Sequence, residues 1–443
     1  MKRSKRLTFV YIAIVLAVMG LASVAAANGN EIYLLEVEGP VTPAMAGYFE
    51  RAVEAAQDAG ASAVIITLDT PGGSVDVTSE IIQTFRNSKV PVIIYVAPGG
   101  AQAASAGSVI AAAAHAVAMA PETVIGAAAP VDSSGADIGE TMQQKMTEDL
   151  KATMRGLTEE RGEDATTLAE EMIEEARAVT ANEALEAGFI DAVAVDLSDL
   201  IRQLDGTVVQ VGGESIVLNL EGAQQTSFSM GFIEQLLHAL ANPLLIGILL
   251  AIGVQAIFIE ISSPGGWVAG FVGVLCIGLA LYGLGTIPAN WFGLILVAVA
   301  FVLLLLEVKT PGTGAVGIVG GITLFAGLLV MFNSPGTPEF ARISIPGAIM
   351  ISTVTAGFFL FLVAKALRAQ KAQPSTGAEG LIGQMGSVKK DLRVSADDPS
   401  AYQGKVSVKG ELWNAVADEA IARGEEVVVE RIDGFTLVVK RRT

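Results

Sequence analysis

Two short stretches hold residues whose types and spacing allow covalent chemistry. The first, "LDTPGGSV" (residues 68–75), ends an apolar run in Pro71-Gly72-Gly73. The second, "GGAQAASAGSVIAAAAH" (residues 99–115), sets Ser105 and Ser108 among alanines and glycines. Paired glycines free a backbone N–H to point at a ligand. A serine at the entrance of a helix feels the N-terminal dipole, where N–H groups stabilise an anion. Together they suit attack on a carbonyl. Each stretch also has a plainer reading. Ser74 could cap a helix, and the small residues around Ser105 could serve close helix packing, with Ser108 as a packing residue.

A serine nucleophile needs a partner to take its proton. His115 follows Ser105 by about 15 Å of rise if the helix is continuous, too far for contact. His238 falls at the membrane edge, beyond the domain. Both histidines read as structural. A lysine kept neutral by its surroundings would serve instead. Between Asn28 and Met230 the lysines are Lys89, Lys145 and Lys151. Pattern alone does not choose among them.

The elements that must position these residues alternate between strand and helix. "EIYLLEVEG", "SAVIITLDT" and "VPVIIYVAP" read as strands, the last two as near-continuous apolar runs. "AMAGYFERAVEAAQDAG" and "SEIIQTFRNS" read as amphipathic helices. The order predicts an α/β layer fold over residues 28–230. A helical stretch occupies 141–178, and "VVQVGGESIVLNLEG" reads as a hairpin appendage. The leader, residues 1–27, has a basic start, an apolar stretch and a small-residue site at Ala27. It reads as a secretory signal with a cut after Ala27, or alternatively as an uncleaved anchor; either exports the adjoining α/β domain.

The chain has 443 residues, 52% of them hydrophobic, with mean hydropathy +0.55. The net charge of -18 is concentrated in residues 28–230, which hold 31 acidic and 9 basic side chains. That balance excludes nucleic acid as a partner. One cysteine, Cys276, rules out an intrachain disulfide, and two histidines with one cysteine argue against zinc. No cofactor is expected.

Residues 231–370 read as a membrane region. Five segments have spanning length: Pro243–Ile261, Trp267–Ile287, Ala289–Val308, Ala315–Phe332 and Ile345–Leu367. An internal repeat, "IEISSPGGWVAGFVG" and "LEVKTPGTGAVGIVG", recurs at an offset of 47 residues. It pairs Glu260 with Glu307, Gly270 with Gly317 and Gly273 with Gly320. The glycines suit close helix approach; the glutamates could instead mark a polar path. The basic "KALRAQK" after the last span favours the cytoplasm. Residues 378–443 carry alternating strands and an Asp433-Gly434 hairpin signal, predicting a small β-barrel of OB type. With only Tyr402, Trp413 and Phe435 as aromatics, it reads as an interaction module.

The run "LDTPGGSV … YVAPGGAQAASAGSVIAAAAHAVAMAPETVIGAAAPV" strongly resembles the membrane-bound ClpP-class serine proteases of the NfeD family, long form. The resemblance extends over nearly the whole chain. It implies a ClpP/crotonase-like α/β domain and a Ser-Lys dyad, with Ser105 as nucleophile and Lys145 as general base. It implies an oxyanion hole from the N–H groups of Gly73 and Ala106. Soluble ClpP proteases place a histidine after the helix; "PETVIGAAAPV" has none, a departure toward the Ser-Lys type. The family implies hydrophobic peptide substrates, a stomatin-like membrane partner and a homodimer or larger assembly. The site would lie outside the inner membrane of the cell and the barrel in the cytoplasm. A catalytically weak scaffold for a stomatin-like partner is the alternative. A crotonase-like acyl-CoA enzyme lacks evident basic residues for CoA.

Overall fold

The computed structural model describes residues 31–129, 139–263, 265–309, 314–335, 337–371, 378–394 and 401–442. The leader lies outside the described residues. The chain divides into two compact units, Met1–Leu306 with Gly312–Phe359, and Glu307–Pro311 with Leu360–Thr443.

The N-terminal domain runs β1 (Glu31–Glu38), α1 (Pro43–Ala59), β2 (Ala63–Asp69), α2 (Val75–Arg86), β3 (Val92–Val96), β4 (Gln102–Ala104), α3 (Ala106–Ala113), β5 (Ala116–Met119), β6 (Val124–Gly126), α4 (Glu140–Thr158), α5 (Glu163–Glu174), β7 (Ala178–Thr180), α6 (Ala181–Glu186), β8 (Ala192–Val193), α7 (Leu197–Leu204), β9 (Val208–Val211), β10 (Glu214–Val217), β11 (Gln224–Ser227) and α8 (Phe232–Ala239). Strands β2 and β3 are apolar almost throughout because both their faces are covered. They sit at the centre of a six-stranded parallel sheet of order β11-β1-β2-β3-β5-β8.

Alternation along the strands divides the core. Val64, Ile66 and Leu68 face one layer with Phe49 of α1 and Phe85 of α2. Ala63 and Ile65 face the other, with Leu200 and Leu204 of α7 and Val209 and Leu218 near the hairpin. Helix α1 begins where the Thr42 side chain accepts a hydrogen bond from the Met45 N–H, with Pro43 in the first turn, and ends at Gly60 with φ 64°. Its inward stripe includes Met45, Phe49, Ala52, Val53 and Ala56.

Several features depart from the sequence expectation. The helical stretch expected over 141–178 breaks between Thr158 and Glu163 into α4 and α5 and ends in β7. The segment after Val208 does form an antiparallel hairpin, but it covers the second core rather than hanging free. The polar "QQTS" beyond it becomes β11 and pairs with β1. Strands β4, β6 and β7, three residues each, form a small separate sheet. None is long enough for alternation to show.

Among the described residues, five helices are long and apolar enough to cross a membrane. They are α9 (Pro243–Ser262), α10 (Val268–Thr286), α11 (Trp291–Lys309), α12 (Ala315–Phe332) and α13 (Ile345–Lys371). The repeat gains a physical meaning here. A methyl group on Gly273 would meet the Gly253 carbonyl oxygen at 2.9 Å, so α9 and α10 touch through backbone. On its repeat mate Gly320, a methyl would lie 2.9 Å from Leu304 and 3.3 Å from the carbonyl oxygen of Ala300, the residue equivalent to Gly253. The Glu260 carboxylate accepts from the N–H groups of Gly265, Trp267 and Gly270 at 3.4, 3.1 and 3.3 Å. It caps the start of the next helix, which is a structural task.

The second unit ends in a closed barrel of β12 (Met385–Val394), β13 (Tyr402–Val408), β14 (Glu411–Ala417), β15 (Glu426–Asp433) and β16 (Thr436–Arg441), in the order β12-β13-β14-β16-β15. Asp433 pairs with Thr436 across Gly434, as the hairpin signal predicts. Val388, Val406, Val427 and Leu437 fill its interior.

Phe49 is fully buried against Phe85, with ring centroids 5.7 Å apart. Phe49→Ala therefore costs the N-terminal domain about 3–5 kcal/mol. The check is a lowered thermal midpoint for that domain.

Candidate active site

The Pro71-Gly72-Gly73 turn and Ser105 meet at the carboxyl ends of β2 and β3, because β4 on one side and the bridge from Val41 on the other hold the turn. On one side Thr70 pairs with β4: its N–H donates to the Gln102 carbonyl at 2.7 Å and its carbonyl accepts from Ala104 at 3.0 Å. Asp69 adds a side-chain acceptor for the Gln102 N–H. On the other side Val41 donates to the Gly72 carbonyl at 2.8 Å and accepts from the Ser74 N–H at 3.4 Å. Both bonds flank Gly73, so its own N–H faces away from Val41. A methyl group at Gly73 would lie 2.3 Å from the Val41 carbonyl oxygen, so only glycine fits. At Gly72, where φ is +107°, a methyl would lie 2.5 Å from Cβ of Ser105.

Ser105 stands between β4 and α3 with φ 52° and ψ −121°, a strained conformation for a side chain with a Cβ. Its N–H donates to the Gly126 carbonyl at 3.0 Å. Its carbonyl accepts from both the N–H and the hydroxyl of Ser108, at 3.0 and 2.8 Å. Ser108 is thus more than a packing residue: fully buried, it locks the turn that presents Ser105. The Ser105 hydroxyl, half-buried, makes no hydrogen bond among the described residues. Nor do the N–H groups of Gly73 and Ala106; Ala106 opens α3, where backbone donors lack helical acceptors. The small neighbours have a use: a methyl on Gly107 would strike Thr70 Cγ2 at 2.5 Å, so glycine lets α3 lie on the turn. Ser74 occupies the N-cap position of α2, but its side chain makes no capping bond.

The lysines separate cleanly. Lys89 lies just before β3, at the end of the sheet opposite Ser105. Lys151 is paired with Glu174 at 2.5 Å, and that hydrogen bond raises its pKa, the wrong direction for a base. Lys145 lies on the second turn of α4, exposed. Among the described residues no hydrogen bond joins it to Ser105, so the structure does not itself close the dyad. Residues 130–138, just before α4, lie outside the described residues.

The histidines are structural, each in a way the sequence conceals. Helix α3 ends at Ala113, and the chain then turns to β5. The His115 Nδ1 accepts from the Val92 N–H at 2.9 Å, and burial, helped by the nearby charge of Arg86, depresses its pKa to about 4. His238 does not lie beyond the domain. Helix α8 folds back onto α1, held by Arg51 to Glu234 at 2.6 Å, while the Tyr48 hydroxyl donates to the Phe228 carbonyl in the segment before it. His238 thereby reaches Thr42 and Glu38. Among the described residues no group of three or more His, Cys, Asp or Glu could hold a metal ion.

An α/β, protease-like domain with a strained serine at a glycine turn, five apolar helices and a small closed barrel define a multi-pass membrane protein of one architecture. Residues 31–213 match the model for the NfeD1b N-terminal domain, residues 244–365 the NfeD integral membrane domain, and residues 378–441 the NfeD-like C-terminal, partner-binding domain. The chain is 35% identical over 423 residues to a membrane-bound protease of Pyrococcus horikoshii, covering 93% of each. It is 26% identical over 452 residues to the membrane protein NfeD1b of Bacillus subtilis, covering 96% of each. A solved structure of the 1510-N membrane protease of Pyrococcus horikoshii, specific for a stomatin homologue, is 34% identical, with a TM-score of 0.41 over 47% of this chain and 98% of that one. The chain belongs to the NfeD family.

His115 generates a pH prediction. The folded ring holds its proton only near pH 4, the unfolded ring near 6.5, so the unfolded state binds more protons between those values. Stability contributed by the neutral ring is present above about pH 6.5 and is lost as pH falls toward 4, by at most about 3 kcal/mol. In His115→Gln, the drop in thermal midpoint between pH 7 and pH 5 becomes smaller than in the unsubstituted chain.

Proposed function

We propose that this protein is a membrane-anchored serine endopeptidase that cleaves hydrophobic peptide segments of membrane-associated proteins, with a stomatin-like protein as partner. The observation that carries the reading is strained Ser105 beside the glycine turn, with the N–H groups of Gly73 and Ala106 unengaged among the described residues. Ser105 attacks the scissile carbonyl, and the two N–H groups receive the oxyanion. Lys145 takes the Ser105 proton and delivers it to the leaving amine. Water then hydrolyses the acyl-enzyme. Of the three candidate lysines, Lys145 alone is neither ion-paired among the described residues nor at the far end of the sheet. Catalysis requires Lys145 to come within hydrogen-bond reach of Ser105. The name of the Pyrococcus relative, a membrane-bound protease, supports the class.

In the proposed topology the leader of residues 1–27 is a secretory signal and the domain of residues 28–230 lies outside the cytoplasm. The membrane region of residues 231–370 sits in the inner membrane of the cell, and the barrel of residues 378–443 is cytoplasmic, where it binds its partner. The protein works as a homodimer or larger assembly. A second reading, a membrane scaffold of little activity, draws on one observation: Lys145 is exposed and unbonded to Ser105.

Cleavage of an apolar peptide by the full chain in lipid nanodiscs decides between them. The unsubstituted chain cleaves, while Ser105→Ala and Lys145→Ala each lower kcat by more than about a thousandfold. Equal cleavage by the variants removes the dyad; an inert unsubstituted chain leaves the scaffold.

A further inference from the structure

His238 bridges two ends of one turn. Its Nε2 lies 2.9 Å from the Glu38 carbonyl, which can only accept, so Nε2 carries the proton. In the neutral ring Nδ1 then accepts, and the Thr42 hydroxyl, 3.0 Å away, donates to it. The same Thr42 oxygen accepts from the Met45 N–H, and Thr42 is buried. Between Glu38 and Thr42 lie Gly39 and Val41. The ring stands directly over Gly39, where a methyl group would meet Nε2 at 3.2 Å. Val41 holds Gly72 and Ser74 by two backbone hydrogen bonds, and Gly73 rests on it with no room for a Cβ. Any displacement of Val41 therefore displaces the Gly73 amide.

The helix that carries His238 is the last element before the membrane: α8 ends at Ala239 and α9 begins at Pro243. Glu234, on the same helix, grips Arg51 of α1, away from the turn. Helix α8 thus docks at two separable places, and among the described residues its hydrogen bonds to the turn that supports Gly73 come from His238.

We propose that His238 is a positioning residue: through Glu38 and Thr42 it fixes Val41, and through Val41 it aims the Gly73 N–H, so that the docked membrane-proximal helix completes the oxyanion site. The inference rests on the hydrolase reading proposed for Ser105. It requires no contact between His238 and substrate. An oxyanion donor held loosely stabilises the transition state less while leaving ground-state binding intact, so the effect falls on kcat.

The test uses the full chain in lipid nanodiscs, as the unsubstituted protein, His238→Ala, His238→Gln and Glu234→Ala. Hydrogen exchange is followed at the Val41 and Ser74 amides, and kcat and KM are measured with an apolar peptide. The expected result for His238→Ala is at least tenfold faster exchange at both amides, and a kcat lowered about tenfold or more with KM within about twofold. His238→Gln, whose carboxamide offers one donor and one acceptor, recovers part of both. Glu234→Ala leaves both near the unsubstituted values. Unchanged exchange in His238→Ala overturns the coupling whether or not peptide is cleaved. Faster exchange with unchanged kcat overturns the catalytic consequence. Equal losses in Glu234→Ala show that His238 merely docks the helix, which also overturns it. A lack of Ser105-dependent cleavage in the unsubstituted chain instead removes the hydrolase reading, and the exchange data identify that case separately.

Discussion

The N-terminal domain depends on one close approach: the backbone of Gly73 lying on the backbone of Val41. Two strand-like hydrogen bonds run between Val41 and the residues flanking Gly73, and they consume the polar groups on that side of the turn. The N–H of Gly73 is left pointing the other way. It faces the direction where Ser105 and the first amide of α3 also lie. A parallel sheet ends with its strands' carboxyl ends and the starts of the next helices on one edge, and there backbone donors lack partners. The site uses that edge rather than creating a new one.

The strain at Ser105 belongs to the same logic. A residue with φ 52° and a Cβ persists only when its surroundings over-determine it. Here the Gly126 carbonyl takes its N–H, and Ser108 takes its carbonyl twice. Thr70 links the glycine turn to β4, one residue before the serine. The turn and the nucleophile candidate are thus parts of one hydrogen-bonded piece. The membrane region uses the same two devices, backbone touching backbone at glycine and a side chain serving orphan N–H groups. Gly273 and Glu260 show them in the first hairpin. The repeat places Gly320 and Glu307 at the matching positions of the second.

Legibility in the sequence tracked the length of the signal. Strands β2 and β3, helix α1 and the five apolar helices carry many residues of one pattern, and each stands where its pattern predicts. Strands β4, β6 and β7 are too short to show a period, and β11 is polar, so only pairing reveals them. The glycine turn and Ser105 were legible as types and spacing, and the family resemblance drew Lys145 from three open candidates. The lysines' surroundings were not legible: the pairing of Lys151 with Glu174 joins α4 to α5 across 23 residues.

The sequence by itself determined the long strands, the amphipathic helices and the membrane helices, because those follow from local side-chain periodicity and composition. It also determined where glycine and serine stand. Only the tertiary structure decided which N–H groups are left unpaired, what locks Ser105, and that His238 reaches back 200 residues to Glu38. The reason is physical: periodicity is a local property of the chain, whereas hydrogen-bond partners and steric vacancies are set by segments far apart in sequence that the fold brings into contact.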